Sequence, residues 1–367
     1  MSTNPIPVFT PAPDVDRHWE QLRAAAESVL RSGHYILGPE EKAFEAEAAS
    51  YLGVTHAIGV NSGTDALVLA LRALDIGPGD EVITTAFTFF ATSEGIDMLG
   101  GTTVFADIDP VTFNIDPASV EAAITDKTKA ILPVHLFGQS ADIDALMAIG
   151  ERHGVPVIED VAQAFGGVHG GKKLGSIGAL GTFSFFPTKN LGGFGDGGLV
   201  TTNDDELADT VTMLRKHGSR KKYHNEALGY NSRLDELQAA LLRVKLPHID
   251  DANKGRRIAA ERYASMLASV DGVVAPTPVL DHVFHQYTVR ILGADRDSVR
   301  ENMGGAGVNT MVYYPVPLHH LPVYSHIETA LPVTEQACGE VLSLPMWPEI
   351  DEATQARVVD ALINALG

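Results

Sequence analysis

One lysine stands in a stretch whose surroundings could make its amine reactive. Lys189 follows an apolar, strand-like run at 182–186, which Pro187 ends because proline has no N–H for a sheet ladder. A loop rich in glycine comes next, and glycine lets a backbone pass close to a ligand. A lysine at the rim of a buried sheet loses part of its water, which lowers its pKa and frees a nucleophile. An ordinary surface lysine is the alternative that this stretch alone leaves open.

An acidic pair ends another predicted strand. The run Val157-Ile-Glu-Asp160 places Glu159 and Asp160 where a buried strand stops. An aspartate there can hold a proton on a cofactor nitrogen through a charge-assisted hydrogen bond. Gln163, one short turn further, can reach a neighbouring ring oxygen. Capping of a following helix by the acidic residues is the alternative.

Three further segments could bind a phosphate or a planar ring. The turn Asn61-Ser-Gly-Thr-Asp-Ala-Leu67 opens a helix, whose N-terminus offers N–H groups and a positive dipole end to phosphate. Ser184 carries a hydroxyl on an apolar strand, and a phosphate would supply its partner. An aromatic side chain from 87–92 could stack on a ring. Ordinary helix capping by Ser62 or Thr64 and core packing of the aromatics are the alternatives.

A basic cluster lies at 215–224 in an otherwise acidic chain. It contains three lysines or arginines in succession, from Arg220 to Lys222. Such a cluster can bind an anion, for example the diphosphate of a nucleotide sugar. Cations near the C-terminus of a solvated helix are the alternative.

The elements that must position these residues alternate between strand and helix. Because near-continuous apolar strands alternate with helices, we predict a mainly parallel sheet covered on both faces, with ligands beyond the carboxyl ends of its strands. The seven strand-like runs are 57–60, 81–85, 103–107, 130–135, 155–159, 182–186 and 199–202, with helical patterns at 18–31, 40–51, 64–73, 92–99, 118–124, 142–152 and 205–216.

The chain divides into an arm and two predicted domains. Residues 1–17 are rich in proline and lack periodicity, which predicts an N-terminal arm. A large α/β domain at 18–245 follows, and a smaller α+β domain occupies 246–367. The segment 218–231 is predicted to be a loop, and a long helical region runs from 232 to 267 with a break at Pro247. Further predicted elements are strands at 287–291 and 309–313 and helices at 297–303 and 352–366.

Composition excludes several classes of protein. With 367 residues, 45% of them hydrophobic, the chain can bury a large core. A net charge of −20 argues against binding to nucleic acid or to an anionic membrane. The single cysteine, Cys338, excludes an internal disulfide and a cysteine-rich metal site, and we predict no metal. No signal-like or bilayer-spanning stretch is found, so a cytoplasmic location is expected.

The candidate residues together indicate pyridoxal 5′-phosphate (PLP). A lysine nucleophile, an acidic partner for a ring nitrogen, a stacking aromatic and a helix-end phosphate site all fall at strand ends. Lys189 would bond to the cofactor aldehyde, and Asp160 would keep the pyridine nitrogen protonated. The freed lysine amine would then move a proton between the substrate Cα and C4′ of the cofactor.

The chain also resembles the DegT/DnrJ/EryC1/StrS family of sugar aminotransferases from about Tyr35 to its end. The resemblance implies the aspartate-aminotransferase (type I) fold and a homodimer whose two sites are shared between the subunits. The matching motifs are Ser32-Gly-His-Tyr-Ile-Leu-Gly-Pro39, Asn61-Ser-Gly-Thr-Asp-Ala-Leu67, Glu159-Asp-Val-Ala-Gln163, Ser184-Phe-Phe-Pro-Thr-Lys189 and Gly229-Tyr-Asn-Ser-Arg-Leu-Asp-Glu-Leu-Gln238.

Position by position, the resemblance assigns roles around the cofactor. Lys189 and Asp160 are implied to be catalytic, Gln163 to contact the ring hydroxyl and Phe89 to stack on the ring. The resemblance implies that the remaining contacts are made to the phosphate, by Gly63, Thr64 and Ser184 and, in the neighbouring subunit, by Asn231.

The loop at 189–198 resembles that of family members that aminate C3 of a nucleotide-linked 3-keto sugar. The implied reaction takes an amino group from glutamate, with pyridoxamine phosphate as the intermediate form of the cofactor, and transfers it to a UDP- or dTDP-sugar. The chain carries Tyr313 where members acting on a 3-keto glucuronate commonly have His. The implied substrate contacts are Tyr223, His224, Arg233, Tyr313, Tyr314 and His319.

Three alternatives remain open at this stage. One is a C4-aminotransferase acting on a nucleotide 4-keto sugar. A PLP sugar dehydratase is the second, although dehydratase relatives carry histidine where this chain has Lys189. The third is a non-catalytic regulator that binds PLP.

Overall fold

The structure is a computed structural model that describes residues 5–277, 279 and 281–367. The predicted arm at 1–17 therefore lies partly outside the described residues. Helix α1 (Ala12–Ser32) begins inside that arm, so the arm ends earlier than predicted. Pro13, which lacks an N–H, is tolerated in the first turn, where N–H groups have no intrahelical partner.

Seven strands form the central sheet. The first nine strands of the described chain are β1 (His56–Val60), β2 (Glu81–Thr85), β3 (Thr102–Ala106), β4 (Thr128–Ile131), β5 (Ile158–Asp160), β6 (Val168–His169), β7 (Lys172–Lys173), β8 (Leu180–Ser184) and β9 (Gly198–Thr202). The order in the sheet is β3-β2-β4-β5-β8-β9-β1. Hydrogen-bonded ladders join β3-β2-β4 and β1-β9-β8-β5, and two parallel bridges, Ile131 to Val157 and Val134 to Asp160, connect the two groups.

The sheet is mainly parallel, as predicted, with β9 as the exception. Strand β9 pairs antiparallel with both of its neighbours, β1 and β8. Strands β2, β3 and β4 are parallel to one another, and β5 is parallel to β8. The carboxyl ends of most strands therefore meet at one edge, where a ligand site is expected.

Helices cover both faces of this sheet. The helices of this part are α2 (Pro39–Leu52), α3 (Gly63–Ala73), α4 (Ala91–Asp97), α5 (Pro117–Ala123), α6 (Ile143–His153), α7 (Asp205–Leu214) and α8 (Glu236–Lys245). Val200 packs in one cluster with residues of α3 and α7, whereas its neighbour Leu199 packs in another with residues of α2 and α8. Successive side chains of a strand point to opposite faces, so the two clusters lie on opposite sides.

The predicted loop at 218–231 contains a short hairpin, and the long helical region breaks where expected. The hairpin pairs β10 (Ser219–Lys221) with β11 (His224–Asn225). A 3₁₀ turn, Leu246–His248, separates α8 from α9 (Ile249–Leu267) and contains Pro247. Proline removes an intrahelical hydrogen bond, which accounts for the break.

The C-terminal part has a hydrophobic core of its own, as a smaller domain requires. The elements of this part that follow α9 are β12 (Val273–Val274), β13 (Tyr287–Ile291), α10 (Arg296–Gly305), α11 (Pro332–Glu340), β14 (Val341–Leu344) and α12 (Glu352–Leu366). The core contains residues of α9, α10, α12, β13 and β14 together with Ile6 from the N-terminal segment. The boundary at 245/246 stays a prediction.

The predicted strand at 309–313 is wrong. Only Met311 makes a bridge there, to Ser343. Pro315 and Pro317 follow closely, and proline cannot donate to a ladder, so pairing does not extend. Among the described residues, no helix is both long and apolar enough to cross a membrane.

Candidate active site

A cavity of about 470 Å³ lies at the carboxyl ends of the parallel strands. This volume suits a small-molecule site. Most of the residues that the sequence assigned to the cofactor line it, as do two of the six assigned to the substrate. The predicted residues that line the cavity are Gly63, Thr64, Phe89, Asp160, Gln163, Ser184, Lys189, Tyr313 and Tyr314.

Lys189 lies in the turn after β8, where its amine loses water. The turn is closed by the Lys189 N–H, which donates to the Phe186 carbonyl at 2.8 Å. Burial lowers the pKa of Lys189 to about 8, and the negative charge of Asp160 acts against this shift. An appreciable fraction of the amine is therefore unprotonated near neutral pH, as a nucleophile requires.

Asp160 lies at the end of β5 with a donor on each carboxylate oxygen. Its Oδ1 accepts the Ala162 N–H at 3.1 Å, and its Oδ2 accepts the Thr92 hydroxyl at 3.0 Å. Burial raises the pKa of Asp160, while these two donors and the nearby Lys189 act in the opposite direction. The carboxylate is thus fixed in orientation and can hold a proton on a ligand inside the cavity.

Gln163 is fixed by two hydrogen bonds. Its Oε1 accepts the Phe137 N–H at 2.8 Å, and its Nε2 donates to the Tyr314 hydroxyl at 3.0 Å. Since an amide nitrogen carries two hydrogens, the second remains available to a ring oxygen. Burial raises the pKa of Tyr314, so its phenol stays neutral.

The N-terminus of α3 and Ser184 lie side by side and form a cradle at one side of the cavity. The Ser62 hydroxyl caps the helix by accepting the Asp65 N–H at 3.0 Å. A Cβ at Gly63 would lie 2.6 Å from the Ser184 Cβ, so the two segments approach as closely as they do only because residue 63 is glycine. The first N–H groups of a helix lack intrahelical partners and favour an anion.

Phe89 leaves much of its ring uncovered. It is 59% exposed although it lines the cavity, which is unusual for a large apolar side chain next to a buried sheet. Together with the cradle, the lysine and the aspartate, the uncovered ring fits PLP: phosphate, aldehyde, ring nitrogen and ring face each have a matching residue.

Glu159, the other member of the acidic pair, points away from the cavity and anchors the strand. It accepts the His135 Nε2–H at 3.1 Å and the N–H groups of Gly175, Ile177 and Gly178 at 2.9, 2.8 and 2.7 Å. Burial alone would raise the pKa of Glu159, but these donors outweigh it and hold the pKa below its ordinary value. Of the two acids, Asp160 is therefore the one available to a ligand.

Four predicted contacts lie outside the cavity, on or beside the hairpin β10–β11. Tyr223 is 90% exposed, and His224 is exposed beside it. The Arg233 guanidinium donates to the side-chain oxygen of Asn231. The backbone carbonyl of Asn231 accepts a hydrogen bond from the Asn61 side chain. None of the four lines the cavity of this chain, so their roles stay predictions.

His319 also lies away from the cavity lining. It is buried near Phe105, and its Nε2 bonds to Glu335 at 3.2 Å, so the single chain does not support its predicted contact with the substrate. With His320, these residues bring three potential metal ligands within 4.8 Å of one another. The buried Nδ1 of His319, however, has no described partner to orient the ring, as metal-binding histidines normally need, and we assign no metal there.

Sequence reasoning missed several lining residues: Thr88, Thr92, His285 and Gln286. The two threonines fall inside a segment considered only for its aromatic residues. No local pattern singles out these two hydroxyls, because Thr88 precedes the helix and Thr92 bonds to Asp160 far along the chain. His285 and Gln286 come from the C-terminal part, whose approach to the cavity no local pattern reveals.

Comparisons with known proteins agree with this arrangement. The DegT/DnrJ/EryC1/StrS aminotransferase family matches residues 17–363. A "pleiotropic regulatory protein" of Geobacillus stearothermophilus is 51% identical over 96% of this chain and 97% of its own length. A UDP-N-acetyl-3-dehydro-α-D-glucosamine 3-aminotransferase of Acidithiobacillus ferrooxidans is 46% identical over 97% and 98%. The crystal structure of S. venezuelae DesV in complex with a ketimine intermediate superposes with a TM-score of 0.95, at 45% identity and 99% coverage of both chains.

Proposed function

Because this chain belongs to the DegT/DnrJ/EryC1/StrS aminotransferase family, we propose that it transfers an amino group from glutamate to C3 of a nucleotide-linked 3-keto hexose. The family match and the likeness to DesV confirm the predicted family and the predicted fold, those of a PLP-dependent aminotransferase. The name of the Acidithiobacillus relative, a 3-aminotransferase of a UDP-linked sugar, supports the position and the class of substrate.

One observation carries the proposal: Lys189 and Asp160 line the same cavity, and the charge of Asp160 acts on the amine of Lys189. When PLP is bound, the Lys189 amine would be the group that bonds to its aldehyde carbon, and the Asp160 carboxylate would hold the ring nitrogen. Gly63, Thr64 and Ser184 hold the phosphate at the start of α3.

PLP, when bound, acts as an electron sink: its ring accepts the electron pair that remains after the carbon carrying the amino group loses a proton. The residues of this chain then have separate tasks. Asp160 holds a proton at the ring nitrogen, and the Lys189 amine accepts and returns the proton of the substrate carbon. Gln163 would donate from Nε2 to the ring oxygen, and Phe89 would cover one ring face. Since one cavity serves glutamate and the keto sugar in turn, ping-pong kinetics are expected.

We further propose that the working unit is a homodimer with shared sites, in the cytoplasm as predicted from the sequence. Asn231, Tyr223, His224 and Arg233 lie outside the cavity of their own chain and are candidates to complete that of the partner. Mixing inactive Lys189→Ala and Asn231→Ala proteins tests this. Random exchange of subunits forms one intact site in half of the dimers, so about a quarter of all sites regain activity. No recovery after exchange, verified by mass, refutes shared sites.

The reaction is tested with a panel of UDP- and dTDP-linked 3-keto and 4-keto sugars, glutamate and PLP. Mass spectrometry detects the amino sugar, and NMR of the product distinguishes C3 from C4. Lys189→Ala should fold, lose the visible absorbance of the bound cofactor and give no product. Full turnover by that variant refutes the assignment, and a product aminated at C4 favours the C4 alternative.

A second candidate function, a PLP-binding regulator without catalysis, is favoured by the name of the Geobacillus relative. The two functions differ in the first half of the reaction. In an aminotransferase, the visible absorbance of the aldehyde form of the bound cofactor disappears when glutamate is added without any sugar. A protein that binds PLP but whose spectrum does not respond to glutamate or other amino acids supports the regulator.

A further inference from the structure

Two threonine hydroxyls stand in line behind the carboxylate of Asp160. Thr92 Oγ1 lies 3.0 Å from Asp160 Oδ2, and Thr88 Oγ1 lies 3.1 Å from Thr92 Oγ1. Thr92 is 2% exposed and Thr88 is 1% exposed, so water has little access to replace either hydroxyl. Both residues line the cavity, Thr92 in the first turn of α4 and Thr88 just before that helix.

The direction of these hydrogen bonds follows from the charge of the carboxylate. An ionised carboxylate only accepts, so Thr92 must donate its O–H to Asp160 Oδ2. The hydroxyl of Thr92 then has no hydrogen left for Thr88, and Thr88 must be the donor to Thr92. The chain of donors therefore runs from Thr88 through Thr92 to Asp160, and each bond strengthens the next.

Thr92 is the side chain that can be varied in this arrangement. The other donor to Asp160, the Ala162 N–H, belongs to the backbone and bonds the other oxygen. With one donor on each oxygen, the carboxylate cannot rotate without breaking a hydrogen bond. Its remaining lone pairs are left for a group in the cavity.

We propose, on the basis of the function proposed above, that Thr92 is a positioning residue that keeps the shared proton on the ring nitrogen of the cofactor and not on Asp160. One proton lies between the carboxylate and the nitrogen. A donor to the carboxylate stabilises its negative charge, so the proton stays on nitrogen as an N–H that donates to Asp160. Without the Thr92 hydroxyl, the balance moves toward a neutral carboxyl O–H that donates to an unprotonated nitrogen. The ring then withdraws electrons less strongly.

The position of the proton is measured directly with PLP labelled with ¹⁵N in the ring. Wild-type protein and Thr92→Ser, which keeps the hydroxyl, should show the chemical shift of a protonated pyridine nitrogen. Thr92→Val, which has the same shape without the hydroxyl, should move the shift toward the unprotonated value. Thr88→Val removes only the second donor and should cause a smaller movement in the same direction.

Kinetics provide a second readout. A hydrogen bond to a charged group corresponds to a change on the order of tenfold or more in an equilibrium constant. Thr92→Val should therefore slow the half-reaction with glutamate on the order of tenfold at saturating glutamate, with little change in its KM. Thr92→Ser should restore the rate. A purely structural role would change stability and leave the ¹⁵N shift unchanged.

The inference is overturned if the ¹⁵N shifts of Thr92→Val and the wild type coincide in proteins that bind PLP fully. If Thr92→Val does not fold, Thr92→Ala and Thr92→Ser form the deciding pair, because they differ only in the hydroxyl. A wild-type protein that fails to bind PLP refutes the proposed function and this inference together, whereas coinciding shifts refute only this inference.

Discussion

Replacing Asp160 by Asn should make Lys189 more reactive toward aldehydes, even though it should impair catalysis. Burial lowers the pKa of Lys189 from 10.5 to about 8, while the charge of Asp160 acts to raise it. At pH 7 a pKa of about 8 leaves about one amine in ten unprotonated, against about one in three thousand for an ordinary lysine. The amine of the wild-type protein should thus be about 300 times more available than that of a surface lysine.

Removal of the Asp160 charge leaves the effect of burial unopposed. An opposite charge nearby changes a pKa by about 1 to 3 units, so we expect the pKa of Lys189 to fall by at least about 1 unit in Asp160→Asn. At pH 7 the unprotonated fraction then rises about fivefold. In both proteins the rate of capture should increase about tenfold per pH unit below the pKa and level off above it.

The assay mixes cofactor-free protein with PLP in a stopped-flow instrument between pH 6 and pH 9.5 and records the initial rate of absorbance change. PLP itself also titrates in this pH range, but its titration affects both proteins equally and therefore cancels in the ratio of their rates. Asp196→Asn is the matched control, because Asp196 lines the cavity but does not contribute to the shift of Lys189. Each protein gives a midpoint, the pH at which the rate of PLP capture reaches half of its plateau. A midpoint for Asp160→Asn at or above that of the wild type would refute the reasoning.

Two further predictions concern the phosphate cradle and the anchor of β5. Gly63→Ala should weaken PLP binding at least about tenfold in a fluorescence titration, because the new Cβ would lie 2.6 Å from the Cβ of Ser184. Gly77→Ala is the control: its Cβ meets no atom within 4 Å, and this variant should bind PLP as the wild type does. Glu159→Gln should reduce the free energy of unfolding in urea at pH 7 by about 3 to 5 kcal/mol, because an amide cannot accept all four of the donors. The pKa of Glu159 is held below its ordinary value of 4.5 in the folded protein, so its stabilisation is fully present above pH 4.5 and is lost as the pH falls through the lowered pKa. The difference in unfolding free energy between Glu159→Gln and the wild type should therefore shrink in acid, and a difference that stays constant with pH would contradict this.

The strands of the sheet could be predicted because each is an apolar run bounded by turn residues. Their directions could not: the run at 199–202 looks like its neighbours, and only pairing reveals that β9 is antiparallel. The predicted strand at 309–313 failed because β propensity does not supply a partner, and Met311 finds one only at Ser343.

In the candidate site, residues next to a strand end were predictable, since the carboxyl ends of parallel strands converge. Lys189, Asp160 and Gln163 were found in this way, and all three line the cavity. Thr92 was missed because its role depends on a hydrogen bond across 68 positions of the chain, which no local pattern encodes. The predicted contact of Asn231 with a neighbouring subunit stays a prediction, because it depends on a surface that one chain does not contain.

The segment around Ile6 and Val8 is attached to residues that the ribosome adds about 300 positions later. The Ile6 N–H donates to Gly307, and the Val8 carbonyl accepts from Met346. These bonds cannot form until residue 346 has left the exit tunnel, and closing a loop of roughly 300 residues costs several kcal/mol of chain entropy. During synthesis, the core that contains Ile6 therefore forms long after Ile6 itself has left the ribosome, and a protease that removes residues 5–10 would loosen that core.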